Sequence, residues 1–390
     1  MKVLKDVRVL ELGIFLAAPY AAQLLAELGA DVIKVERPNA GDPFRAFSEA
    51  GGASSPIFRA HNRHKRAVAL DYTKAEGLEA LYSLVGSADV FIMNVRPGVA
   101  EKLGLSASRL REINPRLVYC AITGFGPTGP YAGRPGYDNV AQALSGWLSR
   151  FHQGTDARIA GPAVSDAFTG IFSCIGILGA LHERQISGEG RTVEVNMLEA
   201  SLAMAIEPIL YSLQAGEEQP FHQRSAMSQA YIVTCKDNKR LALQLSSLPK
   251  FWQGLAAAIE RPDILERYPD RNSKITRYDE LAGELADIFS QKTREEWIER
   301  LSRVDVPFSP ERTVDELESD PQIRHLGVFY EMQHFKDGTV KSMHRPIRYD
   351  GSHDIDFRPA PALGEHTEEV LLESGFSPDD LSRLRRLEVI

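Results

Sequence analysis

The stretch from Val7 to Arg37, VRVLELGIFLAAPYAAQLLAELGADVIKVER, decides the fold. VRVLELG is a short apolar run typical of a strand buried in a parallel sheet, and DVIKVER is a second one. Between them, a predicted helix starts at Pro19 and ends at Gly29. A strand, a helix and a strand in so few residues predict a βαβ unit, and therefore a parallel sheet with helices on its faces.

The same alternation continues along the chain. Further predicted strands are AVALDY (67–72), DVFIMNV (89–95), RLVYCAITGF (116–125) and RTVEVNM (191–197), with helical patterns between them. One of these helices, GPAVSDAFTGIFSCIGILGALHER from Gly161 to Arg184, is so apolar that we expect it to be buried all round. We therefore predict a doubly wound α/β domain over residues 1–213, with ligands bound at the carboxyl ends of its strands.

A polar stretch at 214–228 interrupts this pattern and predicts a linker. A hairpin around the turn KDNK and several amphipathic helices follow, so residues 229–325 are predicted to form a smaller α+β domain. A further hairpin is predicted around Lys336, Asp337 and Gly338.

Composition narrows the class of protein. The chain has 390 residues, 43% hydrophobic and 25% charged, which are ordinary globular values. A net charge of -8 argues against a general nucleic-acid binder. Cys120, Cys174 and Cys235 are scattered, so we expect neither disulfides nor a metal site, and Cys174 is expected in the core. The start alternates apolar and charged residues, unlike a signal peptide, and we expect no membrane-spanning run. The expectation is a cytoplasmic enzyme.

Basic residues gather in loops that flank the predicted strands. Arg37 follows the second strand, and Arg96 and Lys102 follow the fourth. The cations around the third strand are Arg59, His61, Arg63, His64, Lys65, Arg66 and Lys74. A single run of this kind is usually a solvated surface. Several loops at one sheet edge favour a polyanionic ligand with nucleotide-like phosphates.

The segment Gly124 to Gly129 reads GFGPTG and matches the GxGxxG pattern of dinucleotide-binding folds. In those folds the motif opens a helix whose N-terminus meets the pyrophosphate. Here Pro127 and Pro130 prevent a helix from starting, so the sequence predicts a turn-rich loop and disfavours an NAD-dependent dehydrogenase.

Asp166 stands where the long apolar helix begins and has two interpretations. It (or Ser165) could be an ordinary N-cap, because a carboxylate there satisfies free backbone N–H groups. It could instead be a nucleophile held in a partly desolvated pocket, with helix N–H groups as donors to a developing oxyanion. The residues alone leave both open.

The chain as a whole resembles family III CoA-transferases, the group that includes formyl-CoA transferase, carnitine CoA-transferase and the alpha-methylacyl-CoA racemases. The stretches that carry the resemblance cover most of the chain: VLELGIFLAAPYAAQLLAELGADVIKVERPNAGDPFR, NRHKRAVALDYTKAEG, NVRPGVAEKLGL, ITGFGPTGPYAGRPGYDNVAQALSG, SDAFTGIFSCIGILGAL, GRTVEVNMLEAS, VPFSPERTVDELESDPQIRHLG and PALGEHTEEVLLESGFS.

The resemblance implies the architecture and the partners. The large domain would be built from both chain ends, with residues 326–390 returning to it, and two chains would form an interlinked homodimer. It also implies coenzyme A as substrate and product, with an acyl-CoA thioester as donor and a carboxylic acid as acceptor.

The resemblance further assigns residues by position. Asp166 falls on the nucleophilic aspartate, which becomes an aspartyl-CoA thioester. Residues on or beside segments that contact CoA are Leu16, Ala17, Arg37, Leu70, Asp71, Tyr72, Thr73, Lys74, Asn94, Val95, Arg96, Lys102, Arg134 and Gly136. Formyl-CoA transferase-like chains carry Gln in place of Leu16, which implies a less polar pocket here. They also carry a glycine-rich loop over the nucleophile, whereas RSAMSQ (224–229) has no glycine.

Tyr137 separates two activities within the family. Racemases of the family carry the sequence Gly-His-Asp at the position where this chain has Gly136, Tyr137 and Asp138. Their histidine is half of a proton-transfer pair, so its replacement by Tyr137 favours a transferase over a racemase or epimerase. A CoA-binding protein without catalysis remains a third alternative.

Overall fold

The structure is a computed structural model that describes residues 2–47, 55–151, 157–159, 161–246, 248–334, 338–353 and 358–390. The chain forms two compact units. The first combines Met1–Ile209 with Gly327–Ile390, and the second is Leu210–Leu326. The stretch 214–228, predicted as a linker, therefore lies within the second unit.

A parallel sheet forms the centre of the first unit. Its strands, in the part of the chain that the structure describes, are β1 (Arg8–Glu11), β2 (Asp31–Glu36), β3 (Arg66–Ala69), β4 (Val90–Met93), β5 (Val118–Thr123) and β6 (Thr192–Asn196). Their order is β3-β2-β1-β4-β5-β6, and neighbouring strands run parallel throughout. The strand order reverses beside β1, so the loops after β1 and β4 meet where such sheets bind ligands.

Helices cover both faces of this sheet. Up to residue 204 they are α1 (Ala17–Glu27), α2 (Pro56–Asn62), α3 (Ala75–Gly86), α4 (Val99–Lys102), α5 (Ala107–Ile113), α6 (Asp138–Leu144), α7 (Trp147–Phe151), α8 (Val164–Ser187) and α9 (Met197–Met204), with a 3-10 turn at Pro43–Ala46. Val9 and Leu10 are both fully buried and belong to two separate core clusters. Successive strand residues point to opposite faces, which is why near-continuous apolar runs predicted a sheet covered on both sides.

Helix α8 departs from two expectations. It was predicted to be buried all round, yet Ile171 and Ile175 are 40% and 57% exposed. The expectation of no membrane-spanning run is also wrong by length and composition, because these 24 residues are long and apolar enough to cross a bilayer. In the structure Cys174 and Ile177 lie in the core beside the sheet, and the buried Arg184 pairs with Asp89 at 2.8 Å. Those contacts are typical of a core helix of a globular unit.

The second unit has its own sheet and core. Among its described residues the helices are α10 (Ile206–Ala215, starting in the first unit), α11 (Gln223–Ser228), α12 (Pro249–Ala258), α13 (Asp263–Arg267), α14 (Arg271–Thr276), α15 (Tyr278–Phe289), α16 (Arg294–Leu301) and α17 (Pro321–Leu326), with a 3-10 helix at Val314–Ser319. The strands β7 (Ala230–Thr234), β8 (Arg240–Gln244) and β9 (Phe308–Pro310) are antiparallel. The predicted hairpin over β7 and β8 is confirmed. The rings of Phe289 and Trp297 pack in the core at a tilt, with their centroids 4.6 Å apart.

The chain then returns to the first unit. Strands β10 (Phe329–His334) and β11 (Gly338–Met343) form the predicted second hairpin, while Lys336 and Asp337 lie outside the described residues. Helices α18 (Thr367–Glu373) and α19 (Pro378–Arg386) complete the unit. Val370 and Leu384 pack in the same core cluster as the strand residue Ile33. Residues from both ends of the sequence therefore pack in one core cluster.

Candidate active site

A cavity of about 340 Å³ lies at the carboxyl ends of β1, β4, β5 and β6. It is lined by residues that follow these strands and by the first turns of α1 and α8. The predicted site residues that line it are Ala17, Asn94, Val95, Arg96, Arg134, Gly136, Tyr137 and Asp166. Residues far apart in the sequence thus meet at the edge where a doubly wound sheet binds its ligand.

Asp166 lies in the first turn of α8 but does not cap it. The N-cap residue is Ala163, and Oδ1 of Asp138 accepts hydrogen bonds from the backbone N–H groups of Ser165, at 2.8 Å, and Asp166, at 3.3 Å. Asp138 therefore performs the capping that sequence reasoning had offered to Asp166 or Ser165. The interpretation of Asp166 as an ordinary N-cap is therefore wrong. Its carboxyl group is not used to cap the helix.

The surroundings of Asp166 favour the protonated acid. Burial, reinforced by the negative charge of Asp138, raises the pKa of Asp166 to about 7. Within the described residues, no side chain donates a hydrogen bond to its carboxylate. Burial also raises the pKa of Asp138, although hydrogen bonds from Asp166, Gln142 and Ser165 oppose the rise. A carboxyl group in a cavity whose pKa is shifted this far by burial and a neighbouring charge is a candidate functional group.

The first N–H groups of α8 are already used. The N–H of Val164 donates to the carbonyl of Pro162 and that of Ala167 to the carbonyl of Ala163, while Asp138 takes the two between them. The prediction that helix N–H groups beside Asp166 stabilise a developing oxyanion is therefore wrong in this arrangement.

The loop between β1 and α1 is held at three successive residues. Nζ of Lys34 donates to the carbonyl of Gly13 at 2.7 Å. The side-chain amide of Asn94 accepts from the N–H of Ile14 and donates to its carbonyl. Oδ1 of Asp42 accepts from the N–H of Phe15 at 3.2 Å. Asn94, expected to contact CoA, thus shapes the wall of the cavity with both ends of its amide.

Phe15 adopts a backbone conformation that is uncommon for a side chain of its size. Its φ is +64°, in the left-handed region. Its ring contacts Phe44 edge-on, with centroids 5.4 Å apart, and Tyr137, at 6.0 Å. Tyr137 is 59% exposed, so the two rings form one aromatic wall of the cavity. A large side chain held in this backbone region indicates a conformation that the surroundings impose.

A buried ionic network lies under this loop. Nζ of Lys34 contacts Glu11 at 2.9 Å and Asp42 at 3.0 Å, and Nζ of Lys65 contacts Glu11 at 2.8 Å. Burial lowers the pKa of Lys65 to about 8, whereas Glu11 and Asp42 outweigh burial at Lys34 and raise its pKa. All four side chains are buried, so each depends on its partners.

The segment GFGPTG forms a turn-rich loop, as predicted, and no helix starts between Gly124 and Asp138. Gly124 is required there because a Cβ on it would lie 2.7 Å from the Cα of Gly136. The reverse distance is 2.6 Å, so two backbone segments touch directly. Arg134 packs over the ring of Tyr131, with 3.8 Å from its guanidinium carbon to the ring centroid.

The remaining predicted CoA residues lie outside this cavity. Arg37 and Lys102 are exposed near the same sheet edge, and Leu16 precedes α1. The segment 70–74 faces the end of the chain: Leu70 is fully buried, the N–H of Asp71 donates to the carbonyl of Val389, and Nζ of Lys74 donates to the carbonyls of Leu387 and Glu388. The hydroxyl of Thr73 donates a hydrogen bond to the carboxylate of Asp71. This hydrogen bond, together with the positive charges of Lys74 and Arg37, lowers the pKa of Asp71. Tyr72 is half-buried.

The cations before β3 do not form the expected phosphate-binding loop. The strand is parallel to its neighbours, so residues that precede it belong near its amino end. Arg66 binds Asp31 and Glu373, Arg63 binds Glu27, and Lys65 is consumed by the buried network. The sequence had suggested that these cations lie with the others at the carboxyl edge of the sheet. Their ion pairs with residues of the same chain are the physical reason that they do not bind a ligand at that edge.

In the described parts of the chain, no group of three or more His, Cys, Asp and Glu residues is placed to hold a metal ion. Cys120, Cys174 and Cys235 are buried free thiols, which confirms the core position expected for Cys174.

The comparison with known families gives one decisive match. The model of CoA-transferase family III matches residues 4–367. The chain belongs to CoA-transferase family III. It is 34% identical to a succinyl-CoA:mesaconate CoA-transferase of Haloarcula hispanica, over 96% of this chain and 97% of that protein. It is 28% identical to an (R)-2-hydroxy-4-methylpentanoate CoA-transferase of Clostridioides difficile, over 99% of both chains.

A solved structure of a CaiB/BaiF family protein from Brucella suis has the same fold. It has a TM-score of 0.81 and 30% identity, over 94% of this chain and 98% of that one. The resemblance drawn from the sequence, and the expectation of an enzyme of the CoA-transferase class, are both confirmed.

Sequence reasoning about this family III enzyme missed two parts of the site. Asp138 was noticed beside Tyr137 but received no role, although an Asp at a helix start is a capping signal. Lys34 and Asp42 received no role, although charged residues inside or just after a buried strand must be paired. Neither signal tells which distant backbone group is the partner.

Proposed function

We propose that this enzyme moves CoA from an acyl-CoA thioester to a carboxylic acid through an aspartyl-CoA thioester on Asp166. The observation that carries the proposal is the state of Asp166. It lines the cavity, its pKa is raised to about 7 by burial and by Asp138, and another residue does the capping. A desolvated carboxylate is a stronger nucleophile than a hydrated one.

The reaction divides into exchanges of similar energy. The Asp166 carboxylate attacks the donor thioester carbonyl, CoA thiolate leaves, and a mixed anhydride forms. The thiolate then attacks the aspartyl carbonyl and expels the donor's carboxylate, which leaves CoA bound to Asp166 as a thioester. The acceptor carboxylate attacks that thioester and releases thiolate. The thiolate then attacks the acceptor carbonyl of the new anhydride, which gives the product acyl-CoA and restores Asp166.

The cations at this sheet edge suit the phosphates of CoA. Arg96 and Arg134 line the cavity and are exposed, and Arg37 and Lys102 are exposed near the same edge. CoA carries a pyrophosphate and a 3′-phosphate, and guanidinium groups bind such oxygens in a fork geometry. The residues present therefore fit the nucleotide, while Leu70 and Lys74, turned toward the chain end, fit it less.

The acyl group would face an apolar wall. Phe15, Ile14, Ala17 and Met197 line the cavity together with Tyr137. The named relatives act on mesaconate and on 2-hydroxy-4-methylpentanoate, so this chain is proposed to use small organic acids of the same broad class.

Mass spectrometry tests the covalent step. Wild-type enzyme incubated with an acyl-CoA donor should gain CoA at Asp166, and hydroxylamine should remove it. Asp166→Ala and Asp166→Asn should lose both the adduct and the transfer activity while remaining folded. Near-normal turnover by either variant would refute the nucleophile.

Deuterium exchange separates this proposal from a family racemase or epimerase. Tyr137 replaces the histidine of the racemase pair, so transfer should proceed without exchange of the α proton with solvent. Fast α-proton exchange without transfer to any acid would favour the racemase instead. Binding of CoA with neither adduct nor exchange would indicate a non-catalytic protein.

We also propose a homodimer in the cytoplasm. Ile171 and Ile175 of the core helix α8 are 40% and 57% exposed, and Ile206 is 55% exposed. A second copy of this chain would cover such side chains through the same patch on both protomers. Light scattering should show a dimer, and Ile175→Glu should weaken it; a wild-type monomer would contradict the proposal. Buried free thiols suit a reducing compartment.

A further inference from the structure

A second cavity, of about 590 Å³, lies between α1, α2 and the β10–β11 hairpin. Its residues all belong to the first unit, and among the described residues it shares none with the cavity at Asp166. Its volume is in the range of cavities that hold small organic ligands. Nothing in the transfer reaction uses it.

Among the described residues, the buried guanidinium of Arg345 in this cavity forms no direct ion pair. Arg345 is 4% exposed, and its Nε donates to the carbonyl of Ile347 at 3.0 Å. In the part of the chain that the structure describes, neither Nη atom of Arg345 has a hydrogen-bond partner. Burial of an unpaired cation is costly, so proteins pair such groups with an anion.

The acidic residue in this cavity is already engaged. Glu27 accepts hydrogen bonds from Arg63 and from Gln23, and burial still raises its pKa. Arg345 acts on Glu27 only through space. Among the described residues, the charged side chains that line the cavity are Arg59, Arg63, Lys341 and Arg345, together with Glu27.

The rest of the lining is largely apolar. Leu24, Met332, Val340 and Met343 contribute to it, and Tyr20 supplies an aromatic ring. One unpaired guanidinium with two free Nη groups matches a single carboxylate in a bidentate pair. Arg63, which also lines the cavity, is paired with Glu27, so a singly charged carboxylate matches the one unpaired guanidinium better than a phosphate dianion does. We propose that this cavity binds a small organic carboxylate with an apolar body, held by Arg345 at a site separate from Asp166.

Titration with 4-fluorobenzoate, followed by fluorine NMR on the full-length enzyme, tests this site. Arg345→Gln should weaken binding at one site by about tenfold or more, and Arg345→Lys, which keeps the charge without the fork, should also weaken it. Arg348→Gln is the matched control, because the exposed Arg348 does not line the cavity. Asp166→Asn should leave this site intact. Unchanged binding to Arg345→Gln, or inorganic phosphate binding as well as the carboxylate, would overturn the proposal.

Thermal melting distinguishes a ligand-binding Arg345 from a structural one. Without ligand, Arg345→Gln should melt at or above the temperature of the wild type, because the variant removes an unpaired buried charge. 4-Fluorobenzoate should stabilise the wild type and not the variant. A variant that melts well below the wild type, or a crystal structure in which an Asp or Glu of a second copy occupies the Arg345 fork, would rule out a small-ligand site.

Discussion

Oδ1 of Asp138 accepts a hydrogen bond from the backbone N–H of Asp166 at 3.3 Å. The carboxylate of Asp138 therefore caps the helix α8, on which Asp166 lies. The interaction has two consequences. It frees the Asp166 side chain from capping, and it sets a negative charge near a buried acid. The second consequence adds to the effect of burial on the pKa of Asp166.

Asp138→Asn should separate these two effects. The amide keeps an oxygen that can cap α8 but removes the charge, so the pKa of Asp166 should fall below about 7 and remain above its ordinary 3.8, because burial is the larger cause. The acidic limb of the kcat/KM profile should therefore move to lower pH. Asp138→Ala, which also removes the cap, should in addition lose about 1 kcal/mol of unfolding free energy. An unmoved acidic limb in Asp138→Asn would contradict the electrostatic role.

Asp166→Asn should make the protein more stable while abolishing transfer. A carboxyl whose folded pKa is raised from 3.8 to about 7 destabilises the folded state once the unfolded chain ionises it. The contribution of the protonated Asp166 to the free energy of unfolding is fully present below pH 3.8 and is lost as the pH rises through about 7. At pH 8 the free energy of unfolding of Asp166→Asn should exceed that of the wild type by on the order of 4 kcal/mol at most.

Urea denaturation of Asp166→Asn at several pH values checks this sign. The difference from the wild type should grow between pH 4 and 7 and be small at the acidic end. A variant that is less stable than the wild type at pH 8 would show that the carboxylate is a structural group.

Asp42→Ala should damage both stability and catalysis. It leaves Lys34 with one carboxylate fewer in a buried network, which typically costs about 3–5 kcal/mol. It also releases the N–H of Phe15, whose left-handed backbone would relax and move the aromatic wall. Denaturation curves and kcat/KM should both fall. Asp42→Asn keeps an acceptor for Phe15, so it should lose more stability than activity; the opposite order would contradict the positioning role.

Gly124→Ala should disrupt the site loop. The new Cβ would lie 2.7 Å from the Cα of Gly136, where backbone rather than a flexible side chain must move. We expect a loss of about 2–4 kcal/mol in the free energy of unfolding. Gly133→Ala is the matched control in the same loop, since a Cβ there meets nothing within 4 Å and should change stability by less than about 0.5 kcal/mol. Equal stabilities of the two variants would refute the close contact.

The fold was largely predictable because it rests on local patterns. Apolar runs from Val7 to Arg37 carry the βαβ unit, and the prolines of GFGPTG exclude a dinucleotide-binding turn. The predictions that failed concern side chains whose partners are distant in the sequence. Lys65 looked like a ligand for phosphate and is instead bound to Glu11, 54 residues away. The sequence left Asp166 open as a cap or a nucleophile, because nothing in its own segment points to Asp138 as the capping residue.

The direct contact between Gly124 and Gly136 also bears on how the enzyme can be diversified. Two backbones that touch leave no room for variation at either position, so a mutant library aimed at new acyl groups gains nothing there. Randomising positions 15 and 137 instead alters side chains that line the cavity. Altered substrate preference should thus be reachable through two aromatic positions rather than through the loop that presents them.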